Sequence, residues 1–135
     1  MTATTSTSTE FVIDTNVAIA FLNDAKAAAA RIRVSALLSV PVAVWGELFY
    51  GAEKSSRVTS NLARIERFTA SVRTLPCDLG TAREYGRIKK ALRTQGTPIP
   101  DNDIWIAASA IQQKLPLLSA DSHFRHVAGL TIEKW

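Results

Sequence analysis

Phe11-Val12-Ile13-Asp14-Thr15-Asn16 is the stretch that decides the fold: three apolar residues run straight into an acid, a hydroxyl and an amide. The apolar run suits a short buried strand over Glu10–Ile13, and the residues after it favour turns and helix N-caps. The chain therefore leaves a strand and enters a helix at Asp14.

Working outward, Val17–Asn23 reads as a helix, and alanine-rich Ala25–Arg33 supports a second. Leu37–Val40 is the next strand, ended by Pro41, which cannot donate to a sheet ladder but is tolerated in the first turn of a helix. Val42–Lys54 and Arg57–Ala70 read as helices, with Val72–Leu75 a strand between the second of them and Pro76. Residues 79–95 carry Ala82, Tyr85, Ile88 and Leu92 at helical spacing, with Arg83, Arg87 and Lys90 on a second face and Gly96 as the stop. After the loop Thr97–Pro100, Asp101 is placed to cap a helix whose apolar face is Ile104, Ala107, Ala108 and Ile111. Leu115–Ser119 gives a fourth strand and Leu130–Ile132 a short fifth.

Short apolar strands alternating with helices predict an α/β fold with a mostly parallel sheet of four or five strands, covered on both faces. At 135 residues and 47% hydrophobic, the chain has material for one core and too little for two, so a single domain is expected over 10–135. Residues 1–9 are Thr/Ser-rich and read as a flexible tail without a targeting pattern. No apolar stretch reaches the roughly 20 residues of a membrane span, and Cys77 is the only cysteine, which excludes an internal disulfide and a thiolate zinc site. A reducing cytoplasm fits that usage.

In open sheets of this class, ligands gather beyond the carboxyl ends of the strands. Asp14 and Asp121 each follow a strand. Glu47 is the sole charged residue of Val42–Tyr50, and Asp103 opens a helical run, where the helix dipole favours an acid whatever its role. Each has an ordinary reading: Asp14 as a helix cap, Glu47 reaching to water or to an arginine, Asp121 as a turn residue. Together, acids lodged against apolar segments are costly unless something positive meets them. Oxygen ligands without cysteine or clustered histidine suit Mg²⁺ or Mn²⁺, as one ion or a pair about 4 Å apart of the kind that promotes phosphodiester hydrolysis. Thr15, Asn16 and Ser119 are placed to hydrogen-bond such ligands. His123 and His126 lack a third nitrogen partner and read as surface or substrate-contacting residues.

The net charge of +4 and pI near 9.6 put the positive charge away from this acidic group, as expected of an enzyme acting on a polyanion. Arg83, Arg87, Lys90 and Arg93, and Arg125 nearer the acids, are the residues expected to position it; the plain alternative is a solvated helix face.

Four motifs in order carry a family resemblance: Val12-Ile13-Asp14-Thr15-Asn16; Gly46-Glu47-Leu48-Phe49-Tyr50-Gly51; Gly96-Thr97-Pro98-Ile99 with Asn102-Asp103-Ile104-Trp105-Ile106-Ala107-Ala108; and Leu118-Ser119-Ala120-Asp121-Ser122-His123-Phe124. From Phe11 to Trp135 the chain resembles PIN-domain proteins, specifically the VapC toxins of toxin–antitoxin pairs. The resemblance implies an α/β/α sandwich, an acidic tetrad at Asp14, Glu47, Asp103 and Asp121, and a Mg²⁺- or Mn²⁺-dependent ribonuclease. It also implies a cognate VapB-like antitoxin and a homodimer or hetero-oligomer, with Trp45, Phe49 and Tyr50 as a possible contact. Asp101 stands two residues before Asp103 and competes for the third place. Two other functions share this pattern: an RNA- or protein-binding module with structural acids, and a phosphotransferase with Asp14 as nucleophile, which lacks the second aspartate two positions later.

Overall fold

The computed structural model describes residues 8–32 and 35–135. The elements run β1 (Ser8–Ile13), α1 (Thr15–Asn23), α2 (Ala25–Ala30), β2 (Ser35–Pro41), α3 (Val42–Glu53), α4 (Val58–Thr69), β3 (Arg73–Leu75), α5 (Leu79–Thr94), α6 (Asp101–Gln113), β4 (Leu117–Ser119), a 3-10 turn (Ser122–His126) and β5 (Ile132–Lys134). The tail expected over 1–9 falls largely outside the described residues, and β1 already begins at Ser8.

All five strands are parallel, in the order β3-β2-β1-β4-β5. Central β1 pairs with β2 through Val12 and Ser39 and with β4 through Ile13 and Leu118. Being flanked on both edges and both faces, it buries Phe11, Val12 and Ile13 in succession, with Asp14 buried just beyond its end, which is why its sequence shows a continuous apolar run and no alternation. Helices complete an α/β/α arrangement. Helix α6 packs against α5 and α3 and buries Ile104, Ile106, Ala107, Ala108, Ser109 and Ala110, a wider face than the four apolar positions predicted. The small side chains at 107–110 permit that close approach.

Trp45 is in the core, its indole N–H donating to Thr74 Oγ1 at 3.1 Å and its ring edge-on to Phe68. That removes it from any surface contact, and of the three aromatics expected to serve one, only Tyr50 is largely exposed. The fifth strand is displaced to Ile132–Lys134. Gly129, at φ +84°, turns the chain over Val127–Leu130, so pairing with β4 starts at the Thr131 carbonyl, which accepts from Leu117 N–H at 2.8 Å. Asp101 does not cap α6. Pro100 precedes the first turn, and the Asp101 carboxylate is drawn to Lys89 Nζ at 3.1 Å and Tyr85 O–H at 3.0 Å. Among the described residues no helix is long and apolar enough to cross a membrane.

Candidate metal centre at the carboxyl end of the sheet

From β1 the chain builds outward through β2 and β3, then returns to the opposite edge of β1 with β4 and β5. Connections therefore leave β1 and β4 in different directions, and a crevice opens beyond their carboxyl ends. Asp14 follows β1 there, and Asp121 follows β4 after one intervening residue.

Asp14 is only 4% exposed and uses both oxygens. Oδ1 accepts the Val17 N–H at 2.9 Å and so caps α1, while Oδ2 accepts the Ser119 hydroxyl at 2.5 Å. Cap and site are thus compatible roles for one side chain. Ser119 Oγ accepts the Asp121 N–H at 3.0 Å, which ties the loop after β4 to the loop after β1. Asp121 Oδ1 accepts the His123 N–H at 2.9 Å and caps the 3-10 turn.

Helix α6 delivers Asp103 from its first turn, and α3 delivers Glu47 from its second. His123 Nδ1 lies 3.0 Å from Asp103 Oδ2 and 3.4 Å from Asp121 Oδ1, and one donor atom from each of these three residues lies within 4.8 Å of the others. Asp101, two residues from Asp103, is outside this group and pairs with Lys89.

Three of the four acids hold their protons more tightly than an ordinary carboxyl. Burial pushes Asp14 up; Ser119 and the Val17 N–H oppose it, and the charge of Asp121 adds to it. Burial raises Glu47, with Asp103 and Asp14 adding repulsion, and raises Asp103, with Asp121 and Asp14 adding more against the opposing His123. These mutual repulsions show that the four carboxylates share one field. Glu47 Oε1 and Thr15 Oγ1 are closed off from solvent without a hydrogen-bond partner; the hydroxyl lies near enough to ease the Glu47 charge, but the pair lacks hydrogen-bond geometry. A buried acceptor left unmatched among like charges is a net cost that a cation removes. The donor set, oxygen-rich and half-desolvated, therefore fits a hard divalent ion.

The other predicted residues divide. Asn16 is exposed, and its backbone N–H is oriented to Asp14. Arg83, Lys90, Arg93 and Arg125 are exposed; Arg87 is held by Glu84 at 3.0 Å; of the α5 residues, Arg93 faces Asp101. The sequence reading missed Lys89, which sits with Tyr85 and Asp101 beside the stacked Tyr85–Trp105 rings, 4.0 Å apart. It also set His123 apart from the acids. Its spacing of two from Asp121, across a capped turn, was the available signal.

Beside Glu47 a groove of about 190 Å³ runs between α1, α3 and α4, lined by Ile19, Leu22, Leu48, Arg64 and Ile65. A larger cavity of about 700 Å³, between Phe21, Leu38, Phe68 and Val72, holds none of the four acids.

The PIN domain family matches residues 11–130. Over 130 residues the chain is 33% identical to a tRNA(fMet)-specific endonuclease VapC of Shigella flexneri, covering 93% of this chain and 98% of that protein. It is 41% identical over 90 residues to ribonuclease VapC2 of Haemophilus influenzae, covering 66% and 68% of the two chains. Among solved structures, a DNA-bound VapBC complex from Salmonella typhimurium superimposes with a TM-score of 0.83 at 28% identity, covering 94% of this chain and 98% of that one.

Proposed function

The chain belongs to the PIN domain family, and on that premise we propose that it is the endoribonuclease toxin of a VapBC-type toxin–antitoxin pair, hydrolysing RNA phosphodiester bonds at a Mg²⁺- or Mn²⁺-loaded acidic centre. One observation carries the reading: Asp14, Glu47, Asp103 and Asp121, spread over 108 positions from first to last, come together at the β1–β4 crevice, with burial raising the first three and one Glu47 oxygen orphaned.

In this reading the four carboxylates hold the ion. When bound, it supplies Lewis acidity that activates water and offsets charge on the scissile phosphodiester. Ser119 and the backbone N–H groups of Val17 and Asn16 fix the Asp14 carboxylate, and Thr15 stands against Glu47. In this reading Lys89 and Arg93 on α5 and Arg125 on the 3-10 turn hold flanking phosphates. Arg83, Arg87 and Lys90 extend that basic surface along α5. A VapB-like antitoxin silences the enzyme by covering the acids, and the apolar groove beside Glu47 gives such a segment a seat. A homodimer uses the exposed side of α3 at Tyr50, and the cytoplasm is the compartment, in keeping with the free, exposed Cys77.

The test is cleavage of a structured RNA pool by purified, antitoxin-free protein with Mg²⁺ or Mn²⁺, beside EDTA and Asp14→Asn controls. Cutting that requires both metal and Asp14 supports the reading. A folded wild type that binds the pool without cutting it, with or without metal, replaces it by a binding module.

A further inference from the structure

His123 is the one non-carboxylate among the clustered donor atoms. Two independent restraints aim it there. Its backbone N–H is bonded to Asp121 Oδ1 at 2.9 Å, which fixes the start of the 3-10 turn, and its ring crosses to α6 so that Nδ1 lies 3.0 Å from Asp103 Oδ2. The ring is half exposed, so the contact is not imposed by packing in the core.

The spacing is that of neighbouring ligands. Donors at right angles on an octahedral ion with bonds of about 2.1 Å lie about 3 Å apart; Nδ1 stands 3.0 Å from one carboxylate oxygen and 3.4 Å from another. Without an ion the 3.0 Å contact is a hydrogen bond from Nδ1–H to Asp103; with a cation between the carboxylates, the Nε2–H tautomer would give the Nδ1 lone pair to it instead. We infer that His123 is a nitrogen ligand of the divalent ion, beside Asp103 and Asp121, and that it biases the centre toward Mn²⁺ over Mg²⁺. The bias is relative: both ions are at home among carboxylates, but Mg²⁺ holds to oxygen and keeps its waters, whereas Mn²⁺, a first-row transition ion, accepts an imidazole nitrogen more readily. This inference rests on the reading of the four acids as a metal centre.

The chain has two histidines, which makes the assignment readable by spectroscopy. His126 lines a separate small cleft with Arg87, Ile88 and Val127 and serves as the internal control. The experiment is pulsed electron paramagnetic resonance of the full chain loaded with Mn²⁺, free of antitoxin, for wild type, His123→Gln and His126→Gln, with Mn²⁺ and Mg²⁺ affinities by calorimetry. A histidine ¹⁴N modulation is expected in wild type and His126→Gln and absent from His123→Gln, whose Mn²⁺ affinity falls by about tenfold or more and whose Mg²⁺ affinity falls less. Bound Mn²⁺ with no nitrogen modulation in wild type overturns the inference and leaves the carboxylate centre standing. No Mn²⁺ bound by folded wild type overturns both.

Discussion

Asp14 and Ser119 lie 105 positions apart and share a hydrogen bond at the ends of two adjacent parallel strands. The hydroxyl donates to the carboxylate oxygen that α1 does not use, and accepts the N–H of Asp121 on its other side. One small side chain thereby fixes the spacing of two acids that repel one another. Ser119→Ala leaves Asp14 Oδ2 buried and without its donor. Its pKa should rise further, stability should fall by about 1–3 kcal/mol, and cleavage should drop about 10- to 100-fold through weakened metal binding. Denaturant unfolding and single-turnover cleavage at subsaturating metal measure the two effects; an unchanged metal dependence of the rate would limit Ser119 to holding the fold.

Asp101 and Asp103 are separated by one residue but face different partners. Asp103→Asn should reduce cleavage on the order of a hundredfold or more, because it removes a proposed ligand, whereas Asp101→Asn should leave the rate near wild type, because it weakens only exposed contacts with Lys89 and Tyr85. Parallel rate measurements with Mn²⁺ decide it, and the reverse ranking would move the site by half a helical turn.

Without metal the acidic centre makes stability depend on pH with a defined sign. Asp14, Glu47 and Asp103 are raised in the folded chain above their ordinary values of 3.8, 4.5 and 3.8. Between those values and the raised ones the folded state binds more protons than the unfolded state, so stability falls as pH rises through this window, and the full penalty persists above it. In EDTA, Tm should therefore climb as pH is lowered from neutral into the mildly acidic range. Exposed Asp78 and Asp101 are shifted the opposite way, so the informative quantity is the difference between wild type and Glu47→Gln, which should narrow toward acid pH.

Metal should reverse that penalty at neutral pH. At a concentration one hundred times its Kd, a divalent ion stabilises a single-site protein by about 2.7 kcal/mol. Melting curves at rising Mn²⁺ should show this increase for wild type and lose most of it for Asp14→Asn. An equal shift in both would assign the ion to a different site.

Away from the centre, Lys114 ends α6 in the left-handed region at φ 56°. A side chain there costs about 1 kcal/mol relative to glycine, less any gain in unfolded-state entropy. Lys114→Gly should raise stability by up to about 1 kcal/mol with cleavage unaltered, as read by chemical denaturation.

The α/β class and the order of elements were legible in the chain, because strand burial and helix periodicity are written into neighbouring residues, and the four acids stood out there as candidates against apolar surroundings. Phe11-Val12-Ile13 before Asp14 is sufficient to place an acid at a strand end, and the continuous apolar run marks a strand covered on both faces. Periodicity says nothing about which side chains meet across the sheet. The bond from Ser119 to Asp14, the separation of Asp101 from Asp103, the core position of Trp45 and the turn of His123 toward α6 depend on strand order and helix packing. Whether Asp14 is a cap or part of a site has no answer in local sequence, since both roles use the same residue type. The tertiary structure brings β4 beside β1, where the Asp14 oxygen that does not cap α1 meets a hydroxyl that the chain supplies only six helices later.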